Sequence, residues 1–143
     1  MQRERLILPL CAVFCAAVLG CGASGGAKLA PVAGKVTVDG APLTSGGVTF
    51  HPDSAKGNHT PHIPLGTLDA QGNYKLMSAT SEGAPLGWYN VTVSAQAPID
   101  PQNPYAPPKH LINPKYGDAS TSGLHIEVVE RPAAGAYDFS LSK

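Results

Sequence analysis

Glycine and proline punctuate this chain so densely that a helix of ordinary length has no place to form. From Val32 onward, no window of helical length shows a 3.6-residue apolar period free of either residue. A proline inside a helix removes a backbone hydrogen bond and clashes with the preceding turn, and an internal glycine costs roughly 1 kcal/mol relative to alanine. With 16 Gly and 14 Pro in 143 residues, what survives between the breaks is short and alternating. That is a strand-and-turn pattern.

Val36 and Val38 alternate with Lys35 and Thr37, and Val48 and Phe50 with Thr49 and His51. Ile63, Leu65 and Thr67 continue the series, with Pro64 marking an edge position because proline cannot donate to a ladder. Tyr74 and Leu76 follow, then Tyr89, Val91 and Val93 alternating with Asn90, Thr92 and Ser94. The last inward sets are Leu124, Ile126 and Val128, and Tyr137, Phe139 and Leu141. Asp39-Gly40, Gly46-Gly47, the run from Asp69 to Asn73 and Gly83 to Gly87 supply the turns. The spacing predicts an all-β fold of about seven strands, a β-sandwich.

The N-terminal 20 residues obey a different grammar. Arg3 and Arg5 precede an uncharged, mostly apolar stretch, Leu6 to Gly20, interrupted only by Pro9. Charge, then apolar, then small is the layout of an export signal, and the stretch is shorter than the ~20 apolar residues that span a bilayer. It closes in Val18-Leu19-Gly20-Cys21, which resembles the lipobox of bacterial lipoproteins. The resemblance implies removal of residues 1–20, acylation of Cys21 with chains such as palmitate, and attachment to a membrane through that lipid. Gly22 rather than Asp after the cysteine implies delivery to the outer membrane, facing the periplasm or the cell surface. Gly22 to Pro31 holds little but Gly, Ala and Ser with a single Lys28, so 21–31 reads as a flexible tether. Residues 32–143 form the folded domain.

Cys11, Cys15 and Cys21 are the only cysteines, so the domain can hold neither a disulfide framework nor a thiolate metal site. Losing Arg3, Arg5 and Glu4 takes the ten basic and ten acidic residues to eight and nine, a net charge of −1. A near-neutral body with no basic cluster argues against nucleic acid as a partner. About 120 residues suffice for one domain with one core.

Four stretches carry a family resemblance: Val36-Thr-Val-Asp-Gly-Ala-Pro-Leu43, Gly47-Val-Thr-Phe-His-Pro52, Gly66-Thr-Leu-Asp-Ala-Gln-Gly-Asn-Tyr74 and Gly87-Trp-Tyr-Asn-Val-Thr-Val93. Together they resemble the carboxypeptidase regulatory-like module, which implies a seven-stranded transthyretin-like (prealbumin-like) Greek-key β-sandwich. Lys115-Tyr-Gly-Asp-Ala-Ser-Thr-Ser-Gly-Leu124 and Tyr137-Asp-Phe-Ser-Leu141 are similar to the closing strands of small lipoproteins of the planctomycete type. The resemblance implies a non-catalytic binding or spacing unit of the cell envelope, with an envelope protein or glycan as partner. One transthyretin-related branch hydrolyses 5-hydroxyisourate and carries a C-terminal Tyr-Arg-Gly-Ser tail. This chain ends Asp138-Phe-Ser-Leu-Ser-Lys143, so that activity is not carried over. A hydrolase of this type and a structural subunit of an envelope assembly stand as the alternatives.

Residues suited to chemistry are scattered. His59 and His62 are the closest histidine pair, but they sit in a Pro-containing loop, and a zinc site needs three or four ligands on rigid elements. His125 has outward parity on its strand. No serine lies in a nucleophile elbow and no two carboxylates are paired by strand parity. We therefore expect no catalytic residue, no metal and no cofactor. What stands out is the excursion Gln96 to Gly123, since a connection beyond ~15 residues inside a compact domain is usually functional or mobile. It carries Pro98, Pro101, Pro104, Pro107, Pro108 and Pro114, interleaved with Tyr105, His110 and Tyr116. Tyr105, His110 and Trp88 are the candidate partner-binding residues, Trp88 lying under this excursion. Pro101 to Pro108 is the part expected to recognise, and Leu111 to Tyr116 the part expected to pack over the sandwich end beneath Trp88.

Overall fold

A computed structural model describes residues 27–143. Leader, lipobox and Cys21 lie outside the described residues. In chain order the strands are β1 (Leu29–Ala30), β2 (Ala33–Val38), β3 (Ala41–Pro42), β4 (Gly47–Pro52), β5 (Leu65–Thr67) and β6 (Asn73–Lys75). They are followed by β7 (Met77–Ser78), β8 (Ser81–Glu82), β9 (Ala84–Pro85), β10 (Gly87–Ser94), β11 (Leu124–Val128) and β12 (Phe139–Leu141). Two short 3-10 turns, Ser54–Lys56 and Pro114–Gly117, are the sole helical pieces among the described residues. The fold is all-β and sandwich-like. Each of the seven predicted runs has its strand, in β2, β4, β5, β6, β10, β11 and β12, and the additional strands are two-residue ladders.

The larger sheet runs β11-β10-β4-β5-β7-β8, antiparallel throughout. The second is built around β2. Its N-terminal half pairs β6 and its C-terminal half β3, both antiparallel, while β12 lies parallel along the other flank. The β2–β3 hairpin follows from Asp39-Gly40, with φ of 49° and 85°. Two successive positive φ values make the turn whose twist matches paired strands, and glycine takes the second without strain. β1 pairs β9 in a separate two-stranded ladder.

The core lies between the two sheets. Val48, Phe50, Tyr89, Val91 and Val93 come from the larger sheet, and Val36, Val38, Tyr74, Phe139 and Leu141 from the smaller; all are buried. Four aromatic rings stitch the layers. Phe50 stands 5.6 Å from Tyr89 and 6.3 Å from Phe139, and Phe139 stacks on Tyr74 at 6.4 Å. These separations fall in the range where aromatic pairs add to plain area burial. The buried phenols are satisfied, Tyr74 by the Tyr137 carbonyl at 2.7 Å and Tyr89 by the Pro85 carbonyl at 2.8 Å.

Strand β5 departs from expectation in two ways. Its inward face is Pro64, Gly66 and Leu68, whereas Ile63 and Leu65 are more than half exposed. The reason is Tyr74: a Cβ on Gly66 would stand 3.2 Å from that ring and 2.6 Å from the Lys75 carbonyl. The aromatic ring fills the space a β5 side chain would take, so the parity is set by a glycine and not by the apolar letters. Nor does Pro64 mark an edge strand: it immediately precedes β5, which lies between β4 and β7. Pro64 serves the ladder as acceptor, its carbonyl taking the Phe50 N–H at 2.9 Å.

Candidate functional site

The excursion after β10 divides into an arm, residues 96–110, and a foot, residues 111–117. The arm's base is closed by a bridge between Gln96 and His110, with the Ala97 N–H donating to the Lys109 carbonyl at 2.9 Å. Beyond the base the chain folds into two consecutive β-turns of the same design. In the first, Asn103 N–H donates to Asp100 C=O at 3.0 Å, and the Asp100 carboxylate also accepts the Gln102 N–H at 2.8 Å. In the second, Ala106 N–H donates to Asn103 C=O at 3.1 Å. Pro101 and Pro104 occupy the second position of each turn, where a fixed φ near −65° is already correct. Asp-Pro and Asn-Pro thus stiffen an arm that the proline count alone would leave as extended chain.

Tyr105 occupies the third position of the second turn and is 94% exposed. Ile99, on the same arm, is 75% exposed. The arm wraps a hollow of about 320 Å³ lined by Pro98, Ile99, Pro104, Pro107 and Pro108 among others. A rigid amphipathic ring held in solvent beside an apolar hollow suits contact with another molecule, because little side-chain entropy is lost on binding. Ile99 escaped notice in the sequence. A lone isoleucine in a loop reads as a turn filler, and only the fold shows that nothing covers it.

The foot behaves oppositely. Ile112 and Tyr116 are buried and Leu111 packs half-buried against the core. Leu111 N–H donates to the Ala95 carbonyl at 3.0 Å, which continues β10 into the foot. Asn113 caps the following 3-10 turn by accepting the Lys115 N–H at 3.1 Å, and the Tyr116 hydroxyl meets Ser142 Oγ at 3.3 Å. Hydrogen bonding to Ser142 holds the Tyr116 phenol below its ordinary pKa.

Of the three candidate residues, Tyr105 and His110 share the arm, tip and base. His110 is exposed and lines two hollows of about 360 and 480 Å³. Trp88 is not with them. It stands second in β10 while the arm leaves that strand's far end at Gln96, eight residues on, roughly 25 Å away at the rise of an extended strand. The foot accordingly packs at the opposite end of β10 from Trp88. What covers Trp88 is the 3-10 turn at Ser54–Lys56, whose Lys56 Nζ stands 3.8 Å over the indole. Asn58 pins that turn down: it is buried and donates to the Trp88 carbonyl at 2.9 Å while accepting the Thr60 N–H at 3.2 Å. Sequence gave no sign of this role, since a polar residue in a polar loop reads as solvated.

The outer face of the larger sheet carries a polar row. Asn90 has His51 opposite it on β4 and His125 opposite it on β11. His125 Nδ1 meets Asn90 Oδ1 at 2.6 Å, and His51 Nε2 meets Thr92 Oγ1 at 3.0 Å. His59 and His62 stay exposed in their loop. Among the described residues no three His, Cys, Asp or Glu side chains converge on a position that could hold a metal.

A hollow of about 690 Å³ opens between β2, β6 and the end of β5, lined by Lys35, Asp69, Tyr74, Lys75 and Asp138 among others. Its carboxylates are engaged with backbone. Asp138 accepts the Lys35 N–H at 2.8 Å, and Asp69 accepts the N–H groups of Gln71 and Asn73, both at 2.8 Å. The Asn73 N–H is the chief reason the Asp69 carboxyl sits below its ordinary pKa. Burial pushes the Tyr74 phenol upward, with Asp138 adding to the effect. These groups shape turns and hold strands, and none presents a nucleophile beside a base.

Among the described residues no helix is long and apolar enough to cross a membrane. Comparison with protein-family models, with curated proteins and with solved structures finds no match to this chain.

Proposed function

We propose that the protein is a non-enzymatic module of the cell envelope that presents the proline arm to a partner, an envelope protein or glycan. One observation carries this reading: Tyr105 is 94% exposed on an arm braced by two proline turns, while the foot of the same excursion is sunk into the core. Chain that serves only to connect or to cap has no reason to hold an aromatic ring in solvent. An all-β body with its core between two layers is compatible with the finer reading, a seven-stranded transthyretin-like Greek-key sandwich of the carboxypeptidase regulatory-like kind. The support for that reading is the run of turn and core letters from Val36 to Val93. The Arg-apolar-small leader and the Gly/Ala/Ser run after Cys21 support a lipid-anchored protein of the outer membrane, tethered through Cys21. One acyl chain anchors marginally, whereas the two or three of a lipoprotein hold firmly.

The test is capture from detergent-solubilised envelope with the intact, lipidated protein as bait. The wild-type bait should retain a partner that Tyr105→Ala loses, with the melting temperature of the two baits equal. Undiminished capture by Tyr105→Ala would remove the arm from the reading. Mass spectrometry of the mature N-terminus tests the anchor separately: acylated Cys21 is expected, and an unmodified cysteine or a cut further along refutes it.

A further inference from the structure

Strand β11 is the last strand of the larger sheet, and among the described residues no strand pairs its outer edge. Its backbone register shows which groups that edge presents. The Trp88 carbonyl accepts the Asp53 N–H at 2.9 Å, so Trp88, Asn90 and Thr92 turn their backbone groups toward β4. In an antiparallel ladder alternate residues face alternate neighbours. Tyr89 and Val91 therefore face β11, where they pair Ile126 and Leu124. It follows that Leu124, Ile126 and Val128 bond to β10, while His125 and Glu127 point both N–H and C=O outward. The next group on that side is already used, Val129 N–H donating to the Tyr137 hydroxyl at 3.2 Å. The free edge is thus two residues wide, with one cation-capable and one anionic side chain, both exposed.

We propose that this edge pairs with the same edge of a second copy of the chain, antiparallel and centred on Ile126. The argument is charge complementarity combined with register. Only residues that both face the edge can exchange hydrogen bonds, which allows three symmetric registers centred on residue 125, 126 or 127. Centring on His125 sets two imidazoles face to face, and centring on Glu127 sets two carboxylates face to face, which is destabilising. Centring on Ile126 places His125 opposite Glu127 of the second copy, twice, and uses all four outward backbone groups. On the inner face it sets Leu124 opposite Val128 and brings together two half-buried Ile126 side chains. Gly123, opposite Val129 of the second copy, has no side chain to obstruct the approach. His125 Nδ1 donates to Asn90 Oδ1, and in the imidazolium form Nε2 is then the donor that meets the opposing carboxylate. Strands of five residues bury far less than the ~1,200 Å² of a stable interface, so the association is weak and is best read by a covalent trap.

Central residues of such a pairing form a non-hydrogen-bonded pair with Cα atoms about 4.5 Å apart, close enough for a disulfide. In the full chain with Cys11, Cys15 and Cys21 replaced by serine, Ile126→Cys should form a disulfide-linked dimer under mild oxidation. His125→Cys alone and Glu127→Cys alone should remain monomeric, because each then faces the other residue type. The double variant His125→Cys/Glu127→Cys should dimerise, and it reads the same register through exposed positions if Ile126→Cys folds poorly. Adding Glu127→Pro to Ile126→Cys removes one edge N–H and one carboxylate facing His125 per copy, without touching the bonds to β10. Losing two hydrogen bonds should slow cross-linking roughly tenfold. Equal cross-linking at 125, 126 and 127 would mean random collision, and cross-linking at 125 or 127 alone would mean a different register. Either result overturns the proposal, as does indifference to Glu127→Pro.

Discussion

Adjacent stretches of one excursion differ in what their side chains do, and truncation separates them. Ile112→Ala removes buried area and leaves a void, so it should cost about 2–4 kcal/mol in denaturant unfolding. Leu111→Ala, from a half-covered site, should cost less. Tyr105→Ala removes a ring that touches almost nothing and should stay within about 0.5 kcal/mol. A large loss at Tyr105 would show the arm folded back on the body. At the other end of β10, Trp88 is the chain's single tryptophan, which makes its fluorescence a local probe. Lys56→Ala uncovers the indole and should shift its emission to longer wavelength. Asn58→Ala should do the same and also cost about 1 kcal/mol, because it removes one of the two donors to the Trp88 carbonyl, the Asp53 N–H remaining.

At the scale of elements, turns and strands were legible because both are written locally. Asp39-Gly40 announced a hairpin, and the period-2 runs from Tyr89 to Val93 and from Tyr137 to Leu141 pointed inward as read. The misreadings came where a tertiary neighbour decided the matter. Gly66 faces inward because Tyr74 needs its space, and Pro64 fits beside β4 because the contact there uses its carbonyl and needs no donor from it. The stiffness of the arm was hidden for a similar reason. Asp100 and Asn103 each precede a proline, but that each opens a hydrogen-bonded turn, on an arm joined at Gln96 and His110, is visible only in the fold. Of the candidate site, Tyr105 and His110 were found on one element, whereas Trp88 belongs to another end of the sheet. Two turns also carry a pH signature. Asp69 is held below its ordinary value by the Asn73 N–H, and Asp118 by the Ser120 hydroxyl. Folding lowers both pKa values, so their stabilisation is complete above the ordinary carboxylate value near 3.8 and is lost as pH falls through the lowered folded values. Thermal melts should hold steady down to about pH 4 and decline below it, and Asp69→Asn should flatten that decline.

For the whole molecule, stability rests on one apolar core spanned by the two sheets, with no cysteine among the described residues. Melting temperature is therefore expected to be insensitive to chelator and to reductant. A fall of several degrees in chelator would show a metal contributing to folding free energy. The alkaline limit should come from the Tyr74 phenol, buried and bonded to the Tyr137 carbonyl. Its folded pKa lies above the ordinary value near 10, so its contribution is complete below that value and drains away as pH rises beyond it. Tyr74→Phe should lower stability at neutral pH and reduce this alkaline decline, leaving the share of Tyr89, whose phenol burial also pushes up.

The parallel seam between β2 and β12 has a consequence for biosynthesis. Lys35 and Asp138, which meet there, are 103 residues apart in sequence, so β2 waits for β12, a hundred residues on, before its ladder is complete. Contacts of such separation form slowly, because loop closure precedes any gain. A chain emerging from the ribosome cannot finish this fold until Phe139 to Leu141 have left the exit tunnel. Until then the two sheets cannot close fully on one core, and deletion of residues 139–143 should leave a protease-sensitive product.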